Sequence, residues 1–213
     1  MVELSGALCL AACLVVVSME AGWGSARARL LLKSLASAAM VGFALACGAA
    51  GSAAGGCFVI GLVCSAAGDA LLARSDEDFV RGLVAFLLAH LFYIAGFTMA
   101  GWSLVGVGFT SVLLLPVVYA VWGRLGPHAG PLKKPVGVYL VVISGMLLVA
   151  AGAVWMDPSP ARQTLFLAAV GFGVSDLFVA EKRLRTPHWS HVTLGLPLYY
   201  LAQLGVGFGA AGL

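Results

Sequence analysis

Two aspartates lie inside long apolar runs, where a charge is costly. Asp69 stands in Cys64-Ser65-Ala66-Ala67-Gly68-Asp69-Ala70-Leu71-Leu72, and Asp176 in Gly173-Val174-Ser175-Asp176-Leu177-Phe178. An ionised side chain at mid-bilayer costs about 2.5–3.5 kcal/mol on insertion scales, so such a residue needs a partner, a wet cavity or a function. Asp69 precedes Arg74 by five residues and Asp176 precedes Lys182 by six. At about 1.5 Å of rise per residue, both carboxyls sit roughly 7–9 Å inside one membrane boundary. Two carboxylates at matched depth can share a cavity and divide acid and base work, because like charges do not both ionise cheaply side by side.

Further polar groups fall in the same leaflet. Lys33 is near the start of its apolar run, with Ser34 and Ser37 beyond it; it is either a snorkelling interfacial lysine or an anion-binding one. His90 and Tyr93 are three residues apart on one helical face. Tyr139 follows Lys134 by five residues, Ser175 adjoins Asp176, and Tyr199, Tyr200 and Gln203 share the last run. Tyrosine often serves only as an interfacial anchor, but an amide in hydrocarbon seeks a partner.

These residues are held by helices that meet lipid. The chain has 213 residues, of which 62 % are hydrophobic and 10 % charged, with a mean hydropathy of +1.04. Twelve basic and nine acidic residues cannot supply the polar surface of a soluble domain. A spanning helix needs about 20 apolar residues. The expected fold is therefore all-α and integral to the membrane. It is one multi-pass domain over 1–213, a bundle of about eight transmembrane helices near 2–19, 30–50, 56–73, 79–100, 102–123, 135–155, 160–180 and 190–212. The predicted breaks are Ser52 to Gly56, Ser75 to Asp78, Gly126 to Pro135 and Met156 to Pro160, with a weaker one at Gly101. Pro116 and Pro197 are expected to kink their helices. The first run opens with Glu3, and its basic residues follow the apolar stretch, so it reads as a retained span rather than a signal peptide.

Arg27, Arg29, Lys33, Arg74, Arg81, Arg124, Lys133, Lys134, Lys182, Arg183 and Arg185 fall on one side of this bundle, and Arg162 alone on the other. The positive side should be cytoplasmic, with both termini exoplasmic, in a bacterial inner membrane or a eukaryotic endomembrane. The exoplasmic halves are almost entirely Ala, Gly, Val, Leu and Phe, which predicts a pocket open to the cytoplasmic leaflet and argues against a channel. A net charge of +3 implies no nucleic-acid partner. The five cysteines form no C-x-x-C pair and read as small hydrophobes. The four histidines present no three-ligand zinc set, and no nucleophile elbow or phosphate loop is present. Asp69 begins Asp-Ala-Leu-Leu-Ala and Asp176 begins Asp-Leu-Phe-Val-Ala, a weak echo that a four-plus-four helix repeat would explain.

In order along the chain, Gly68-Asp69-Ala70-Leu71-Leu72, Ala89-His90-Leu91-Phe92-Tyr93, the run Tyr139 to Met146, Gly171 to Asp176 and Tyr199-Tyr200-Leu201-Ala202-Gln203 resemble the YhhN family. That family includes the animal transmembrane protein 86 lysoplasmalogenases. The resemblance implies a membrane hydrolase that cleaves the vinyl ether bond of lysoplasmalogens, releasing a fatty aldehyde and a glycerophospho-headgroup. Its partners would be a lysophospholipid substrate and membrane lipids, with no metal or organic cofactor. Asp69 and Asp176 would be the catalytic pair, with the acid and base roles unassigned between them. Lys33 would meet the lipid phosphate. His90, Tyr93, Tyr139, Ser175, Tyr199, Tyr200 and Gln203 would bind or orient, and the apolar interior would take the alkenyl chain. The competing class is a proton-coupled transporter built on intramembrane Asp and His; a lipid-binding scaffold and a zinc amidase are further alternatives.

Overall fold

The computed structural model describes residues 25–74, 76–186 and 188–213, together with Ala7, Leu10, Ala11, Leu14, Val15 and Val17. These six positions are helical; otherwise the first expected span, 2–19, lies outside the described residues. Among the described residues the fold is all-helical, and seven helices are long and apolar enough to cross a bilayer.

Each helix begins and ends where the sequence supplies the chemistry for it. α1 runs Ala26–Ala46, and the Ser25 hydroxyl caps it by accepting from the Ala28 amide at 3.2 Å. The expected boundary at 30–50 is thus displaced by four residues, because the cap lies earlier than the apolar run. The chain then turns at Gly48, whose φ of 89° suits glycine. The segment Ser52 to Gly56, expected as a turn, is instead the start of α2 (Ala53–Arg74): the Ser52 hydroxyl accepts from the Gly55 amide at 3.0 Å. The turn proper is Cys47 to Gly51.

After a 3₁₀ turn at Asp76–Asp78, α3 covers Phe79–Ala100. Gly101, at φ 89°, ends it, so the weakest expected break is real. α4 (Leu104–Leu125) continues through Pro116. Two 3₁₀ turns lead to α5 (Lys133–Met156), and α6 occupies Pro160–Leu184. The last span is divided into α7 (Ser190–Thr193) and α8 (Gly195–Ala210). Pro197 has no N–H to give to the Thr193 carbonyl and its ring crowds that oxygen, so the interruption falls at Leu194.

The most extensive helix contacts are α2 with α3 and α6 with α8. Small residues make the first of these possible. A Cβ at Gly61 would stand 2.2 Å from the Tyr93 ring, and one at Gly68 would stand 2.7 Å from the Phe86 ring. Membrane helices gain from such close packing because lipid tails compete with any looser apolar contact. Both glycines also seat residues next to the candidate site. Outward-facing positions carry large hydrophobics such as Leu31, Leu113 and Leu167, as a lipid-facing surface requires.

Arg162, the lone cation at the end away from the other basic residues, acts as a staple. Its guanidinium donates to the carbonyls of Ala100 (2.6 Å), Ala153 (3.0 Å) and Gly101 (3.3 Å), and Asp157 lies 3.5 Å away. Carbonyls at helix C-termini lack intrahelical donors and carry partial negative charge. One cation therefore ties the ends of α3 and α5 together and closes that end of the bundle.

Candidate active site

The opposite end holds a chamber of about 370 Å³. The start of α1, the end of α2, the start of α3, the end of α6 and the start of α8 surround it. Asp69 and Asp176 both line it, although they come from α2 and α6 and are 3 % and 9 % exposed. They are neither turned to lipid nor placed in separate cavities.

Asp69 is surrounded by donors. Its Oδ2 accepts from Ser37 Oγ at 2.8 Å and from Tyr200 Oη at 2.6 Å. Lys33 Nζ lies 4.0 Å from its other oxygen. Both hydroxyls thus donate to one carboxyl oxygen, and the ammonium faces the other.

Asp176 has a different neighbourhood. Its Oδ2 accepts from Tyr139 Oη at 2.9 Å and faces His90 Nε2 at 3.3 Å. The other ring nitrogen of His90 is 2.7 Å from the Phe86 carbonyl. A carbonyl only accepts, so Nδ1 carries the hydrogen there. Nε2 is buried and makes no hydrogen bond of good geometry, yet it lies within ion-pair distance of the carboxylate. His90 itself is fully buried and stacks on Phe172, with ring centroids 4.4 Å apart.

The remaining predicted residues divide into two groups. Tyr199 and Ser175 line the chamber, but the Ser175 hydroxyl is turned back to the Phe172 carbonyl at 2.7 Å. Tyr93 and Gln203 do not line it. They form a layer behind it in which Tyr93 Oη donates to Gln203 Oε1 at 2.5 Å and Gln203 Nε2 donates to Ser65 Oγ at 3.3 Å. Tyr199 Oη reaches the Ser65 carbonyl at 3.3 Å. The expected spans leave Lys182 and Arg183 in the loop after residue 180 and His191 at the start of the last run, yet all three line the chamber. The signal was present: Arg183 follows Asp176 by seven residues, two turns along one helical face. Ser37 follows Lys33 by four residues, which sets both on the face of α1 that meets Asp69. Among the described residues no group of three or more His, Cys, Asp or Glu gathers to hold a metal ion.

A family model described as the YhhN family matches residues 28–210. Human lysoplasmalogenase TMEM86A is 32 % identical over 161 residues, covering 71 % of this chain and 63 % of the human protein. Lysoplasmalogenase TMEM86A of Bos taurus is 33 % identical over 156 residues, with the same shares of the two chains. The chain therefore spans less than two thirds of the length of these relatives. No solved structure matches.

Proposed function

The chain belongs to the YhhN family, and from that premise we propose that it is a multi-pass membrane hydrolase that cleaves the vinyl ether bond of lysoplasmalogens. The relatives' names favour hydrolysis over proton-coupled transport. The observation that carries the reading is the unequal setting of two carboxylates on one chamber wall.

His90 Nδ1 is committed to a carbonyl, so a bare Nε2 would set its lone pair 3.3 Å from a carboxylate oxygen at a buried position. A proton between His90 and Asp176 removes that repulsion, whichever of the two formally holds it. The pair is thus the proton store, and Asp176, which lines the chamber, is the acid. Asp69, supplied with donors, is the anion that stabilises developing positive charge and takes a proton from water. This unequal division parallels the carboxylate pairs of glycosidases, whose transition state is also oxocarbenium-like.

The steps balance. Asp176 delivers a proton to the outer alkenyl carbon, and the π electrons form the new C–H bond, leaving an oxocarbenium ion. Water adds to the carbon that bears oxygen and gives its proton to Asp69. The hemiacetal then collapses. Its C–O bond to glycerol breaks, Asp69 returns a proton to the leaving oxygen, and the hydroxyl proton restores the His90–Asp176 pair. The products are a fatty aldehyde and a glycerophospho-headgroup. Lys33, Lys182 and Arg183 provide positive charge for the phosphate. The chamber opens at the end rich in Arg and Lys, which the positive-inside bias assigns to the cytoplasm.

Purified protein in detergent, given a lysoplasmalogen in heavy water with immediate trapping of the aldehyde, tests this. The expected aldehyde carries one deuterium on the carbon next to the carbonyl. Aldehyde without it, or no aldehyde at all, overturns the reading.

A further inference from the structure

A second cavity meets the chamber at Asp176. It is a narrow slot of about 60 Å³ between α3, α4, α5 and α6. Trp122 and Leu125 of α4, Leu140 and Ile143 of α5, and Leu177 and Leu184 of α6 form its walls. Among the described residues that line it, Tyr139 and Asp176 alone carry side-chain oxygens, and they are hydrogen-bonded to each other. Leu72, Phe79, Phe86 and Val179 line slot and chamber alike, so the two adjoin along these side chains.

The slot has one loosely held wall. α4 is the least buried of the seven spans and rests mainly on α5, with slight contact to α6. Across the slot, Arg124 at the end of α4 pairs with Glu181 of α6, which also meets Arg185 at 3.4 Å. α4 thus separates an apolar slot from lipid and is fastened to α6 at one end.

We infer that this slot is the hydrocarbon-chain site. One lipid chain enters sideways from the bilayer as α4 moves outward to widen the slot, lies among Trp122, Leu125, Leu140 and Ile143, and ends at Asp176. Its anionic phosphate head then stands in the chamber near Lys33, Lys182 and Arg183. The arrangement rests on the hydrolase reading above, because it puts the first bond of the chain, where a vinyl ether lies, beside the acid. An apolar chain in an apolar slot and a charged head in a polar chamber each keep the surroundings they had at the membrane surface.

The test uses a lysophosphocholine with an uncleavable alkyl ether chain and a diazirine at mid-chain, irradiated with the whole protein in nanodiscs and mapped by mass spectrometry. The expected adducts fall on Trp122–Leu125 and Leu140–Ile143; adducts confined to outward positions such as Leu113 and Leu167 overturn the assignment. In a second arm, Leu140→Trp narrows the slot. Its KM for a long-chain substrate is expected to rise about tenfold, the worth of burying roughly two methylenes, while a short-chain substrate keeps its KM. Equal KM changes for both chains in a variant that melts like wild type overturn it. Labelling needs no turnover, so slot adducts without vinyl ether cleavage leave the chain site standing and remove the hydrolase reading. Cleavage with adducts elsewhere does the reverse.

Discussion

Asp69 and Asp176 stand 107 residues apart on α2 and α6, and their supporting groups are exchanged. α2 packs on α3, yet α3 sends His90 to Asp176. α6 packs on α8, yet α8 sends Tyr200 to Asp69. Each carboxylate also takes one hydroxyl from the helix before its own: Ser37 of α1 for Asp69 and Tyr139 of α5 for Asp176. The frames correspond, but the last partner differs. Asp69 has an ammonium at 4.0 Å and a second hydroxyl; Asp176 has an imidazole at 3.3 Å. In the proposed mechanism, what faces each carboxylate distinguishes acid from anion, as in enzymes where environment sets apart chemically identical groups.

The sharpest way to break this comparison is to neutralise each acid in turn. Asp176→Asn removes the proposed proton donor, and kcat for aldehyde release is expected to fall about a thousandfold, within the range of general acid catalysis. Asp69→Asn keeps an oxygen to accept from Ser37 and Tyr200 and loses only the charge, so a fall of about a hundredfold is expected, the order of one electrostatic stabiliser. Equal losses would mean that the two carboxylates are interchangeable, and near-normal rates in both would remove them from the chemistry.

His90→Gln sharpens the same contrast. His90 does not line the chamber, so its effect passes through Asp176. The expected result is a fall in kcat of about tenfold or more with KM unchanged. Lys33→Gln should do the opposite, raising KM about tenfold, the order of one charge-assisted hydrogen bond, while leaving most of kcat. Initial rates over a range of substrate concentration separate the two patterns.

What could be read from the chain follows from the same physics. Hydropathy located seven of the spans because lipid demands long apolar runs, and the two aspartates stood out because lipid penalises them. Helix ends were less visible: α1 begins at Ala26 because Ser25 can cap it, not because the apolar run starts there. Periodicity could have placed Arg183 on the chamber and Ser37 against Asp69, since each lies about a whole number of turns from a suspected residue. The crossing of His90 to Asp176 was not accessible. It depends on which helices pack together, and no spacing within one helix encodes that. The slot was equally hidden, as its apolar walls resemble any lipid-facing surface until α4 is seen to cover them.

The smallest expected effect on catalysis lies one layer behind the chamber. Tyr93, Gln203 and Ser65 form a chain of hydrogen bonds that touches neither carboxylate, and Tyr93 and Gln203 are almost fully buried. Gln203→Leu removes the amide that bonds both the Tyr93 and the Ser65 hydroxyl, a loss of about 1–3 kcal/mol for a buried polar group. Thermal unfolding in detergent should register that loss, while kcat of the folded fraction stays close to wild type. A large fall in kcat without a fall in stability would instead bring this layer into the chemistry, and the contrast between the two carboxylates would then have to include what stands behind them.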